Sequence, residues 1–167
     1  MGDCLLLTGP VRALKEEFPG FRISVLVEPR FASCFDGNPD FTEVLAAHGK
    51  YSTGARLFTR RFNAIINLHG GPTSLVYSCL AWGKRIGAEH YRGARLYQGR
   101  VPAPVPSVHT AQSTMDVFRW LGVRCEHPPA LRYEVHPAEA ALMQEKLKGR
   151  LICSGYPGSA AVTVCSL

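Results

Sequence analysis

Nowhere in the 167 residues does an apolar run reach membrane-spanning length; the longest candidates are broken by Gly, Pro or Arg. The parts of a secretory leader are lacking as well. Met1-Gly2-Asp3 sets an acid where a leader carries positive charge, and Leu5-Leu6-Leu7 is too brief for its apolar segment. N-myristoylation of Gly2 would call for Ser or Thr at the sixth position, which is Leu6. A cytoplasmic protein is therefore expected. Low-complexity tracts and long charged runs are also missing. With 46% hydrophobic and 19% charged residues, the chain has the material for a packed core, and its length suits one full domain rather than two.

Several chemistries lack their motifs. The six cysteines are scattered without a C-x-x-C pair, so reduced and mostly buried thiols are expected instead of a disulfide framework or a zinc site. No H-E-x-x-H occurs, and no D-x-D of the kind that holds a divalent ion in many sugar-transferring enzymes. No metal site is therefore expected. Neither G-x-x-x-x-G-K-[ST] nor G-x-G-x-x-G is present, which removes the fingerprints of a P-loop and of a dinucleotide-dependent oxidoreductase.

What the chain does have is unevenly placed charge. Residues 1–55 carry a net of −2, residues 56–100 a net of +7 and residues 101–167 a net of +1, so the overall +6 comes from the middle third. A field of that sign draws an anionic partner such as a phosphate, a nucleotide or a membrane surface. For any single one of these residues, an ordinary solvated basic face explains the charge as well.

Apolar spacing predicts a helix over residues 5–18, stopped by Pro19-Gly20, and a buried strand over 21–27. A short helix over 30–35, a strand at 43–45, a basic helix over 54–62 and a strand over 63–68 follow. Then come a helix over 73–82, a brief strand at 84–87, a long loop over 88–108, a helix over 110–121 and another over 138–148. Strand and helix in alternation mean an α/β fold: a doubly wound, mostly parallel sheet with helices on both faces. Such a domain normally opens on its central strand, yet this chain opens on a turn and a helix. The reading is of a sheet lacking its first central strand, whose two neighbours each keep an unpaired edge.

In that fold, ligands gather at the carboxyl ends of the strands. Asp3, at the start of the first helix, can accept a proton from an attacking hydroxyl there, or simply cap the helix. Asn67-Leu68-His69-Gly70-Gly71-Pro72-Thr73-Ser74 is a second strand-to-helix turn, whose glycines let backbone approach a ligand and whose N–H groups favour an anion. As a bare turn it carries little signal, and His69 reads equally as a structural hydrogen-bonder. The loop after it interleaves Tyr91 and Tyr97 with Arg92, Arg95 and Arg100; arginines grip phosphate oxygens in pairs and tyrosines stack on sugars or bases. His109 and Thr110 follow and can face the same crevice, Thr110 otherwise serving as a cap.

Read in series, residues 2–20, 25–45, 62–74, 84–91 and 109–123 resemble glycosyltransferase family 9, the lipopolysaccharide heptosyltransferases, in order and in spacing. The resemblance covers most of residues 2–150. It implies the amino-terminal, acceptor-side Rossmann-like domain of a two-domain GT-B enzyme over 1–150, with 151–167 the start of the linker or second domain. It implies transfer of a heptose from a nucleotide diphosphate donor, usually ADP-heptose, to the inner core of lipopolysaccharide at the cytosolic membrane face, with no cofactor or metal. By that resemblance Asp3 is the catalytic base and Gly2 a donor contact. Arg60, Arg61, His69, Gly70, Gly71, Arg92, Arg95 and His109 are expected on the side of a phosphorylated glycolipid acceptor, with peripheral contact to the inner membrane and no nucleic acid. Two departures mark the ends. The strand and small-residue turn before the family's Gly-Asp are not present, and Tyr156-Pro157-Gly158 stands where the family has His-Pro-Gly. A truncated or frame-shifted chain is expected from these, inactive on its own because the second domain supplies most donor contacts. The alternative is a non-catalytic α/β module that grips an anionic partner through residues 56–100; it predicts steep salt dependence and no need of Asp3.

Overall fold

The computed structural model describes residues 2–103, 110–134, 141, 142 and 145. Met1–Tyr133 forms one compact unit and Glu134–Leu167 a second; the strands and helices described here all belong to the first. The expected boundary after residue 150, most of the helix over 138–148 and the whole 151–167 segment lie outside the described residues.

Helix α1 spans Gly2–Glu17, opening with Asp3 in its first turn and closing with Lys15 in its last, charges that suit the partial charges of the helix ends. It starts earlier than the apolar spacing suggests, so Gly2 and Asp3 form the helix's own first turn and do not precede it. Pro10 sits inside it, unable to donate to the carbonyl one turn back, and the neighbouring Thr8 hydroxyl donates to the Leu5 carbonyl at 2.7 Å. Strand β1 (Ser24–Val27) leads through a 3₁₀ segment, Pro29–Phe35, to β2 (Glu43–Ala46). Helix α2 (Lys50–Phe58) precedes β3 (Arg61–Asn67), and α3 (Pro72–Leu80) precedes β4 (Trp82–Ala88). A 3₁₀ turn, Ala94–Leu96, then leads to β5 (Gly99–Val101), and α4 covers Thr110–Trp120 before Gly122 turns the chain at φ 107°.

Most element ends shift by a few residues from expectation, and three of the differences have a clear local reason. The basic helix ends at Phe58, because Arg61 is drawn into β3 opposite Trp82. Trp82 likewise belongs to β4 and not to α3. The 88–108 loop contains β5, whose three residues are too few to show alternation.

All strand pairs are parallel. β1 pairs with β2 from Ser24↔Glu43 to Val27↔Ala46, and β4 lies between β3 and β5. Among the described residues the sheet is thus in two pieces, ordered 1-2 and 3-4-5, with β1 and β3 each paired on one side. Parallel strands joined through helices are the α/β arrangement that the sequence reading expects. Helices α1 and α4 pack together, as do α2 and α3. A single apolar cluster spans both pieces: Val11 and Leu14 of α1, Val25 of β1, Phe35, Ile86 of β4, Val101 of β5, and Met115 and Phe118 of α4.

Candidate functional site at the carboxyl ends of the strands

Because the strands in each piece run parallel, their carboxyl ends share one edge, and helix starts return there. At the end of β1, Glu28 lies close enough to the first turn of α1 to act on Cys4. The Cys4 thiol is held above its ordinary pKa by burial first, with Cys34, Asp3 and Glu28 adding to the effect. Asp3 itself is exposed, and among the described residues it forms no hydrogen bond or ion pair. Gly2 beside it stands in open space.

The end of β3 is built more tightly. Asn67 is buried, and its Oδ1 accepts the N–H groups of His69 and Gly70, both at 3.1 Å. Its Nδ2 donates to the Tyr97 hydroxyl at 2.7 Å. Burial pushes the Tyr97 hydroxyl's pKa up, with the Asn67 bond opposing. Tyr91 donates to the Leu68 carbonyl at 2.8 Å, and burial raises its pKa too. Gly70 takes the left-handed conformation (φ 69°) that a side chain disfavours. Gly71 then caps α3 without a side-chain partner, Pro72 occupies the first helical turn, and the His69 ring lies against Gly71.

Beside this turn, a cavity of about 450 Å³ opens between α4 and the ends of β3, β4 and β5. Its apolar surface comes from Leu68, Ala88, Val101 and Val117, with Tyr91 and Trp120 as aromatic walls. Thr110, Ser113, Thr114 and Asp116 of α4 and His90 after β4 supply its polar groups. The hydroxyls of Ser113 and Thr114 both donate to the Thr110 carbonyl, at 3.0 and 3.1 Å, which leaves their oxygens able to accept. His90 meets Tyr91 edge-on, with ring centroids 4.7 Å apart.

The expected site residues divide. His69, Gly70 and Gly71 follow β3 at its carboxyl end, whereas Gly2 and Asp3 open α1, linked to the end of β1 through the Cys4 that Glu28 acts on. Arg92 follows Tyr91 directly and is exposed. Arg95, also exposed, lies farther on, in the segment whose Leu96 carbonyl accepts from Arg85 in the middle of β4. Arg60 and Arg61 sit at the opposite end of β3, seven residues of strand away at roughly 3.3 Å each. Arg60 is held by the Glu43 carboxylate, with one contact at 2.9 Å and a second, shorter one; Arg61 lies over the Trp82 ring at 6.0 Å. The geometry therefore separates these two from the glycine turn. His109 lies outside the described residues. Of the cavity's α4 residues only Thr110 stood out in the sequence. Positions 113, 114, 117 and 120 recur at helical spacing, a signal that core packing produces just as readily. Among the described residues no group of His, Cys, Asp and Glu side chains is arranged to hold a metal ion.

The fold is one shared with glycosyltransferases of the GT-B type. A family 9 glycosyl transferase from Veillonella parvula superposes with a TM-score of 0.76 at 18% identity, over 88% of this chain and 45% of that one. The E. coli heptosyltransferase WaaC, solved with ADP, superposes with a TM-score of 0.63 at 17% identity, over 80% and 48%. The chain thus spans about half the length of each. No protein-family model matches it, and no curated protein matches it in sequence.

Proposed function

We propose that this chain forms the acceptor-side half of a glycosyltransferase that moves a sugar, a heptose in the sharpest form of the reading, from a nucleoside-diphosphate donor such as ADP-heptose to a hydroxyl of a phosphorylated lipopolysaccharide-core glycolipid. The observation that supports it most is the fold shared with glycosyltransferases, in which Asp3 is an exposed carboxylate in the first turn of α1, next to the Cys4 that Glu28 acts on. In this reading Asp3 takes the acceptor hydroxyl's proton as the oxygen attacks the anomeric carbon, and the bond to the diphosphate breaks with its electron pair leaving on the phosphate oxygen. Gly2, with no side chain, leaves room for the donor.

His69, Gly70 and Gly71 form the acceptor side, and the exposed Arg92, next to the Tyr91 that packs on Gly70, pairs with an acceptor phosphate. Arg60 and Arg61 drop out of that role, being engaged at the far end of β3. Their dispersal also weighs against the simple anion-binding module, since residues 56–100 do not form one basic face. No resident cofactor or metal enters this reading, and nucleic acid has no part in it. The protein would work in the cytoplasm, touching the membrane only to reach a lipid-linked acceptor. Residues 1–150 would form the acceptor-side domain and 151–167 lead toward the donor-side half, without which the 167 residues alone turn over nothing.

The test is sugar transfer from ADP-heptose to a lipopolysaccharide-core acceptor by the protein translated from its complete reading frame, with and without Asp3→Asn. Loss of turnover with acceptor binding kept supports the base; unchanged turnover removes it.

A further inference from the structure

The cavity beneath α4 carries a chemical signature of its own, and it is not that of a phosphate site. Among the described residues no lysine or arginine lines it, while Asp116 does. A phosphate brought there would lose the pairing that arginine provides and meet a carboxylate of its own sign. What the walls offer is a set of acceptors over an apolar floor. Of the Asp116 carboxylate, only Oδ1 is engaged among the described residues, by Gln112 Nε2 at 3.4 Å and Arg119 at 3.5 Å, both long contacts. Oδ2 remains open to a donor, as do the lone pairs on the Ser113 and Thr114 oxygens. The Trp120 ring is 45% exposed and has one edge over the β5 backbone, where a Cβ on Gly99 would stand 2.9 Å from its Cη2. A wall that is apolar across its face, next to a row of hydrogen-bond acceptors, matches a ring with C–H groups on its faces and hydroxyls around its rim.

We infer that this cavity is a binding site for a neutral sugar unit, its ring stacked on Trp120 and its hydroxyls donating to Asp116, Ser113 and Thr114. A volume of about 450 Å³ falls within the usual range for small-molecule sites, roughly 300–1,000 Å³, and accommodates a monosaccharide or disaccharide. The inference deepens the proposed sugar-transferring role, because it divides acceptor recognition into two parts. An uncharged ring is held under α4, and any phosphate is met outside it, toward Arg92.

The experiment is a ¹H–¹⁵N NMR titration of the 167-residue chain with methyl α-mannopyranoside and with lactose, compared with mannose 6-phosphate and with ADP. The chain has two tryptophans, and the exposed Trp82 at the start of β4 serves as an internal control. The expected result is saturable, salt-insensitive shifts at the Trp120 indole and at the Ser113 and Thr114 amides with a neutral sugar, and none at Trp82. Asp116→Asn, which keeps the shape, should weaken binding by about tenfold, the value of one hydrogen bond to a charged group. Thr114→Val should give a smaller loss. No shifts with either neutral sugar, or shifts at these residues only with mannose 6-phosphate or ADP, would overturn the inference. Asp3→Asn should leave this binding unchanged, so failure of the catalytic assignment and failure of the sugar site are told apart.

Discussion

The ring of Tyr91 occupies the space that a side chain on Gly70 would need. A Cβ built on Gly70 stands 2.5 Å from Tyr91 Cδ1, and the backbone there is left-handed at φ 69°. Through this contact and the Tyr91 hydroxyl's bond to the Leu68 carbonyl, the segment after β4 is tied to the turn after β3.

Gly70→Ala therefore carries two penalties, the left-handed conformation and the clash. Together they should destabilise the fold by about 2–4 kcal/mol in urea unfolding. Only the clash depends on Tyr91. In a Tyr91→Ala background the cost of Gly70→Ala should fall to the conformational part, about 1–2 kcal/mol. Equal costs in both backgrounds would mean that the ring and the glycine are not in contact.

The Glu43–Arg60 pair makes a prediction about pH. The hydrogen bond from Arg60 holds the Glu43 carboxyl below its ordinary value of about 4.5. A depressed folded-state pKa gives stability that is fully present above the unfolded value and is lost as pH falls through the folded one. With both side chains about a third exposed, the pair should contribute about 0.5–1 kcal/mol at neutral pH. Glu43→Gln should cost that amount at pH 7, and the difference from wild type should vanish as acid protonates Glu43. A gap that persists unchanged after full protonation would assign the loss to shape instead of charge.

That pair also shows where sequence reading stops. Arg60 and Glu43 lie 17 residues apart, and nothing local marks them as partners, so Arg60 reads as a free cation until the chain is folded. Strands β1 and β3 were legible from their apolar runs, Val25-Leu26-Val27 and Ala64-Ile65-Ile66, although of these six only Val25 is buried and Ala64 is exposed. β5 was hidden by its brevity, and the ligand-facing stripe of α4 by its likeness to a core stripe: Val117 faces both.

Gly9 tests a contest between two effects of opposite sign. In mid-helix, Gly→Ala normally stabilises by about 1 kcal/mol. Here a Cβ would stand 2.5 Å from the Pro129 carbonyl oxygen, a backbone atom without a flexible end to yield. The segment that carries it is tied down next door, where the Arg132 N–H donates to Thr8 Oγ1 at 3.0 Å and its guanidinium pairs with Asp40 at 3.2 Å. The overpacking cost of about 1–3 kcal/mol should win, so Gly9→Ala should lower the urea midpoint. A raised midpoint would show that residues after α4 leave α1 easily.

Asp3 offers the sharpest separation of stability from function. It is exposed and unpaired among the described residues, so its structural value is that of a charge at a helix start, about 0.3–1 kcal/mol. Asp3→Asn should therefore unfold within about 1 kcal/mol of wild type. Removing a general base typically costs about 10²–10⁴ in rate, and Asn cannot take the proton. In the protein from its complete reading frame, kcat should fall by that order while the acceptor's Kd stays within a few-fold. A variant that keeps wild-type kcat at unchanged stability would leave Asp3 as a helix-end charge and move the search for the base to His90 or Asp116, which both line the cavity.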